Sequence, residues 1–256
     1  MARRIGLLLG VLGLSVACGR PASAPLDADQ ILQRMSDKLS AATRLDVTAR
    51  READAALLQG RDLQAQTTIV VRAVRPQRIA VQLDSGAERR AMYADGKTVT
   101  VQDISKNLYS TAEITTTLDD LDDQLQRLYG FTPPMFEFVT NNPHDSINAR
   151  VSSLKYLGDA KDAAGVQCHK IAAAGEVADA ELWVSAADFL PRQLIATFRN
   201  EAGHPQIRLY FTSWNLSPSW SDAELAFTPP AGAMKIPMRS IAEMQALMGK
   251  MESQKR

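Results

Sequence analysis

The sequence predicts an α+β fold, a large antiparallel sheet of about ten strands with helices laid against one face. Two observations lead there. Segments in which apolar and polar residues alternate recur along most of the 256-residue chain, bounded by turns that carry glycine, proline, asparagine or aspartate. Apolar residues three and four apart occur at three places, so each helix has one stripe and each strand one apolar face to bury.

The amino-terminal segment sets the compartment. Arg3 and Arg4 precede an uncharged apolar run from Ile5 to Ala17. The run falls short of the roughly 20 residues that span a bilayer, and it has the length of a signal-peptide core. It ends Leu14-Ser15-Val16-Ala17-Cys18-Gly19, which resembles a bacterial lipobox. Residues 1–17 are therefore read as a signal peptide and Cys18 as the lipid-attachment site, which anchors the chain to a membrane. Two alternatives stay open: cleavage after Ala22-Ser23-Ala24 to give a soluble periplasmic protein, with Pro25 disfavouring that cut, and an uncleaved helix. Residues 18–27, with Pro21 and Pro25, form a flexible tether. Gly19 rather than aspartate follows Cys18, which under the sorting rule of enteric bacteria directs the anchor to the outer membrane. No later segment is long and apolar enough to span a membrane.

The domain then builds element by element. Asp27 or Asp29 caps a helix whose face carries Ile31, Met35, Leu39 and Ala42. Strands follow around Leu45–Ala49, Thr67–Val74, Ile79–Leu83, Arg90–Ala94, Thr98–Gln102 and Asn107–Thr111, with Asp95-Gly96 as a two-residue hairpin signal. The period changes at Leu118, Leu121, Leu125 and Leu128, a helix started by a threonine of Thr115–Thr117 and ended by Gly130. Pro133, Pro134 and Pro143 mark loops and short helical turns. A meander follows through Val151–Leu157, Val166–Ala173, Glu181–Ser185, Gln193–Arg199 and Gln206–Ser213. The last helix, near Arg239–Met251, carries Ile241, Met244, Met248 and Met251 on one stripe.

Composition and motifs exclude more than they assign. The chain has 29 basic and 29 acidic residues; loss of Arg3 and Arg4 with the signal peptide leaves 27 against 29, a net −2. Such a chain has no electrostatic case for nucleic acid. No G-x-S-x-G, H-E-x-x-H, P-loop or G-x-G-x-x-G occurs, so no enzyme, cofactor or metal site is expected. His144 and His204 sit beside prolines in turns, and His169 points to the opposite face from Cys168 on a predicted strand, which argues against a Cys–His pair. Cys168 reads as a small buried hydrophobe. Asp119, Asp120, Asp122 and Asp123 lack the glycine and distal glutamate of a calcium loop and read as a solvated helix start. Trp183, Trp214 and Trp220 read as packing. Met234, Met238, Met244, Met248 and Met251 crowd the carboxyl end. Flexible thioethers accept varied apolar partners, so these five are candidate acyl-chain or lid contacts; the plainer expectation is that the helix packs on the sheet.

Six stretches carry a family resemblance: Arg34-Met-Ser-Asp-Lys-Leu39, Tyr93-Ala-Asp-Gly-Lys-Thr98, Gly165-Val-Gln-Cys-His169, Leu190-Pro-Arg192, Ser213-Trp-Asn-Leu216 and Ala226-Phe-Thr-Pro-Pro-Ala-Gly232. Their order and spacing resemble a family of bacterial periplasmic proteins, domain-of-unknown-function family 2092, within the LolA/LolB/LppX-like lipoprotein-carrier superfamily. The resemblance implies a strongly curved half-barrel over residues 28–236, with helices closing its concave side and residues 237–256 as a further Met-rich helix. It also implies a non-catalytic lipid- or lipoprotein-binding function in the periplasm. The alternative it leaves open is an envelope interaction or sensor module on the same fold. No binding residue of the family maps onto this chain.

Overall fold

A computed structural model describes residues 26–59 and 64–253. Cys18, the expected signal peptide at residues 1–17 and most of the expected tether at 18–27 lie outside the described residues.

Asp27 rather than Asp29 caps α1 (Ala28–Ser40). Its carboxylate accepts from the Gln30 N–H at 2.8 Å, while the Gln30 side chain accepts from the Asp27 N–H at 3.2 Å. The helix drives Ile31, Leu32, Met35 and Leu39 into the core. Then β1 (Arg44–Ala53), β2 (Gln66–Val74), β3 (Arg78–Asp84), β4 (Arg89–Ala94), β5 (Thr98–Asp103) and β6 (Leu108–Glu113) run as an antiparallel meander. At the β4–β5 turn Gly96 adopts φ +87°, and the Asp95 carboxylate accepts from the N–H groups of Lys97 and Thr98. Next, α2 (Leu118–Tyr129) buries Leu118, Leu121 and Leu125 and stops at Gly130 with φ 74°. Thr117 holds its N-cap position without a side-chain cap bond.

A short turn, Phe136–Phe138, and α3 (Pro143–Asn148) carry the chain to β7 (Val151–Lys161). From there β8 (Gln167–Gly175), β9 (Asp179–Ser185), β10 (Pro191–Thr197) and β11 (Gln206–Asn215) step back until β11 pairs with β1. A two-residue β12 (Met234–Lys235) and α4 (Ile241–Ser253) complete the described chain.

The result is one open, curled sheet in the order β12-β6-β5-β4-β3-β2-β1-β11-β10-β9-β8-β7. It is antiparallel throughout except where β12 lies parallel to β6. The expected α+β architecture is observed, with twelve strands among the described residues where about ten were expected. β12 is too short to show a period. Residues between β6 and β7 cross from one sheet edge to the other. With α1 they place Leu121, Leu125, Phe136 and Phe138 against Val47, Ile69, Val81 and Phe211. Arg75 fastens three pieces of this layer: it donates to the carbonyls of Ala42 at 2.6 Å and Thr140 at 2.9 Å, and Asp119 is the nearby carboxylate.

Two sequence expectations are corrected. The aspartates of α2 are not all solvated: Asp122 is buried and accepts from Arg150, because its position follows Leu118, Leu121 and Leu125 around the inward face. And α4 does not lie on the sheet. It rests beside α2, with Ile241 next to Gly130, and leaves most of its methionines to solvent.

Candidate functional site

The layer over the sheet is incomplete on the β7–β10 side. There the concave face carries an aligned row of small residues: Ala173 on β8 is opposite Ala180 on β9, which is opposite Ala196 on β10. One row further along, Ile171, Leu182 and Leu194 stand in the same register. Side chains of adjacent strands on one face lie about 5 Å apart, so three alanines in line leave a trough that no neighbour fills.

A cavity of about 520 Å³ occupies that trough. Leu32 of α1, Phe138, Ile147 of α3 and Leu154 of β7 form its other apolar walls. The β8–β9 turn stands at the opening, where Val177 is 70 % exposed. Another hollow on the sheet is bordered by polar side chains, among them Arg50, Gln66, Gln82 and Asp84.

Three charged residues line the cavity: Glu137 and Arg150 in its wall and Glu176 in the exposed β8–β9 turn. Glu137 sits between the fully buried Phe136 and Phe138 and borders the cavity. Burial pushes its carboxyl up; its own backbone N–H and Arg150 pull it partly back, and Asp122 pushes it up again. Arg150 also lines the cavity. It donates to Asp122, whose carboxyl is raised chiefly by burial, and it lies 3.6 Å from Asp123.

Away from the cavity, Tyr156, Asp159 and His169 form a polar cluster. Tyr156 Oη donates to Asp159 at 2.5 Å, and His169 Nδ1 lies 3.0 Å from the same oxygen. Burial, then Asp159, raises the Tyr156 hydroxyl to about 12. Phe189 stacks on His169, and Arg34 lies over Phe189. A phenol held so far above neutrality stays protonated and keeps its hydrogen bond to Asp159. His144 ties α1 to α3, with Nε2 2.8 Å from Asp29 and Nδ1 3.3 Å from Asp145. Cys168 is buried, and burial raises its thiol to about 11. Among the described residues no group of three or more His, Cys, Asp or Glu is arranged to hold a metal ion.

The residues singled out from sequence lie elsewhere. Met234, Met244, Met248 and Met251 are exposed and Met238 is half-exposed. None of the five lines the cavity. Glu137, Arg150 and the alanine row carried no sequence signal of their own. The run Ala172-Ala173-Ala174 was visible, but its alignment with Ala180 and Ala196 depends on strand register.

The family described as predicted periplasmic protein (DUF2092) matches residues 28–239. No curated protein matches the chain. Among solved structures, an uncharacterized conserved protein from Thermus thermophilus is similar at a TM-score of 0.51 and 17 % identity, covering 82 % of this chain and 98 % of its own. The Pseudomonas aeruginosa MucA/MucB complex gives 0.46 and 16 %, over 78 % of this chain and 61 % of the matched one. A LolA superfamily protein from Nitrosomonas europaea gives 0.38 and 12 %, over 79 % and 99 %. The Thermus structure shares the fold, and the family match over nearly all of the described domain makes this chain a member of the DUF2092 family of predicted periplasmic proteins.

Proposed function

We propose that this protein holds one acyl chain of a lipid or lipoprotein in the cavity, without catalysis, while Cys18 anchors it to a membrane, the outer membrane by the Gly19 criterion. The observation that carries the reading is an apolar trough left open between α1, α3 and the β7–β10 part of the sheet. A methylene is comparable in volume to a water molecule in the liquid, about 30 Å³, so about 520 Å³ holds on the order of 17 of them. That is room for one long alkyl chain. Each methylene withdrawn from water contributes about 0.8 kcal/mol.

The methionine face of α4 belongs to this proposal as the surface an acyl chain meets before it enters. Removing residues 240–256 then slows loading and leaves the amount bound unchanged. Native mass spectrometry and lipid extraction of the purified protein test the main claim. A protein that carries no lipid and binds no alkyl probe would falsify it. The anchor is tested separately: Cys18→Ser should move the protein from the membrane to the soluble fraction, and retention in the membrane refutes lipidation.

A second reading, an envelope interaction module, is favoured by one feature. The eleven-residue β7 forms a sheet edge and exposes Leu157 at 42 %. An extended peptide adds to such an edge through backbone hydrogen bonds. Photocrosslinking from position 157 in cells distinguishes this reading by yielding a discrete protein adduct.

A further inference from the structure

The proposed acyl-chain cavity is not electrically neutral, and its charges bear on what the chain's polar end is. The charged residues that line it are Glu137, Arg150 and Glu176. Arg150 is already engaged by Asp122, with Asp123 beyond. Glu137 therefore faces the cavity with its own backbone N–H and a cation shared among several carboxylates. Arg199, close to the opening, donates to the Gly175 carbonyl at 2.7 Å and pairs with Asp179 at 3.1 Å, so it adds little positive charge to the site.

A carboxylate in an apolar wall is costly unless a cation or donor meets it. A second anion placed beside it is worse. We infer that the cavity selects a single-chain amphiphile with an ammonium or similar cationic donor at its polar end, received by Glu137, and rejects a chain ending in a free carboxylate. The inference rests on the acyl-chain reading of the cavity. It adds a polarity: the apolar body lies along Ala173, Ala180 and Ala196, and the cationic end lies against Glu137. The raised affinity of this carboxyl for a proton, caused by its burial, has the same origin as its demand for a donor.

The test uses the whole protein and a neutral fluorescent probe, N-phenyl-1-naphthylamine, displaced by dodecylamine, dodecanol and laurate below their aggregation limits. Dodecylamine should displace the probe at a concentration at least about tenfold lower than laurate, the scale of a charge-assisted hydrogen bond. In Glu137→Gln that ratio should fall to within about twofold, with dodecanol unchanged. Lysophosphatidylethanolamine against lysophosphatidylglycerol then asks whether a lipid headgroup supplies the amine. Preference for the ethanolamine lipid extends the inference to aminolipids, while equal binding of the two overturns that extension. Laurate binding as well as dodecylamine, or a ratio that survives Glu137→Gln, overturns the inference and leaves the acyl-chain site standing. If no alkyl compound displaces the probe from the native protein, the acyl-chain site itself fails. Should the variant not fold, the ratio measured on the native protein decides alone.

Discussion

Replacing Ala180 by leucine tests whether the trough over β8–β10 is empty. Ala180 lies between Ala173 and Ala196, and its side chain faces the cavity. Leucine adds three carbon atoms. At about 0.8 kcal/mol per buried methylene the unliganded protein should gain up to about 2 kcal/mol. For a domain of this size that raises Tm by roughly 4–8 °C. If the site were already filled, the same change would overpack it and destabilise by about 1–3 kcal/mol. The sign of the shift therefore reports the void directly. Thermal unfolding followed by circular dichroism gives the sign, and probe displacement gives the function. The expected pair of results is a more stable protein with alkyl binding strongly reduced. A less stable protein that still binds the probe would refute the placement of the ligand in this trough.

Three further outcomes are expected. The carboxylates of Asp29 and Asp145 more than offset burial and raise His144 above its ordinary value, so its contribution is complete below about pH 6.5 and fades as pH climbs through the higher folded value; the stability gap between the native protein and His144→Gln should narrow as pH rises above about 6.5, and a widening gap would contradict the assignment. Arg75→Met removes two charge-assisted bonds to the carbonyls of Ala42 and Thr140 and should lower unfolding free energy by about 2–4 kcal/mol in urea titrations; a loss below about 0.5 kcal/mol would mean the three pieces are held by other contacts. Cys168, buried and with its thiol raised to about 11, should resist a disulfide reagent at about pH 8 until the protein is unfolded, and rapid labelling of the native state would show that β8 opens readily.

Much of the sheet was legible because its signals are local. Ile207, Leu209 and Phe211 alternate with Arg208, Tyr210 and Thr212, and that period of two belongs to β11 whatever it pairs with. Asp95-Gly96 and Gly130 mark turns that need a left-handed residue. Where a side chain's role depends on what faces it, the same reading failed. Asp122 and Asp123 are neighbours in sequence, yet one is buried against Arg150 and the other is exposed. The stripe of Ile241, Met244, Met248 and Met251 has the spacing of a packed helix, yet α4 rests on α2 and shows that stripe to water. Periodicity states that a face exists and says nothing about which surface is vacant to receive it.

By itself, then, the sequence determined the periodic elements, their turns and the near-neutral charge. These depend on residues within a few positions of one another. The tertiary structure alone decided the order of twelve strands, with β11 returning to β1. It also decided the alignment of Ala173, Ala180 and Ala196 and the placing of Glu137 beside them. Those facts arise from register between strands far apart in the chain, where a slip of one residue turns each side chain to the opposite face. The cavity is a property of that register, and no segment of the chain contains it.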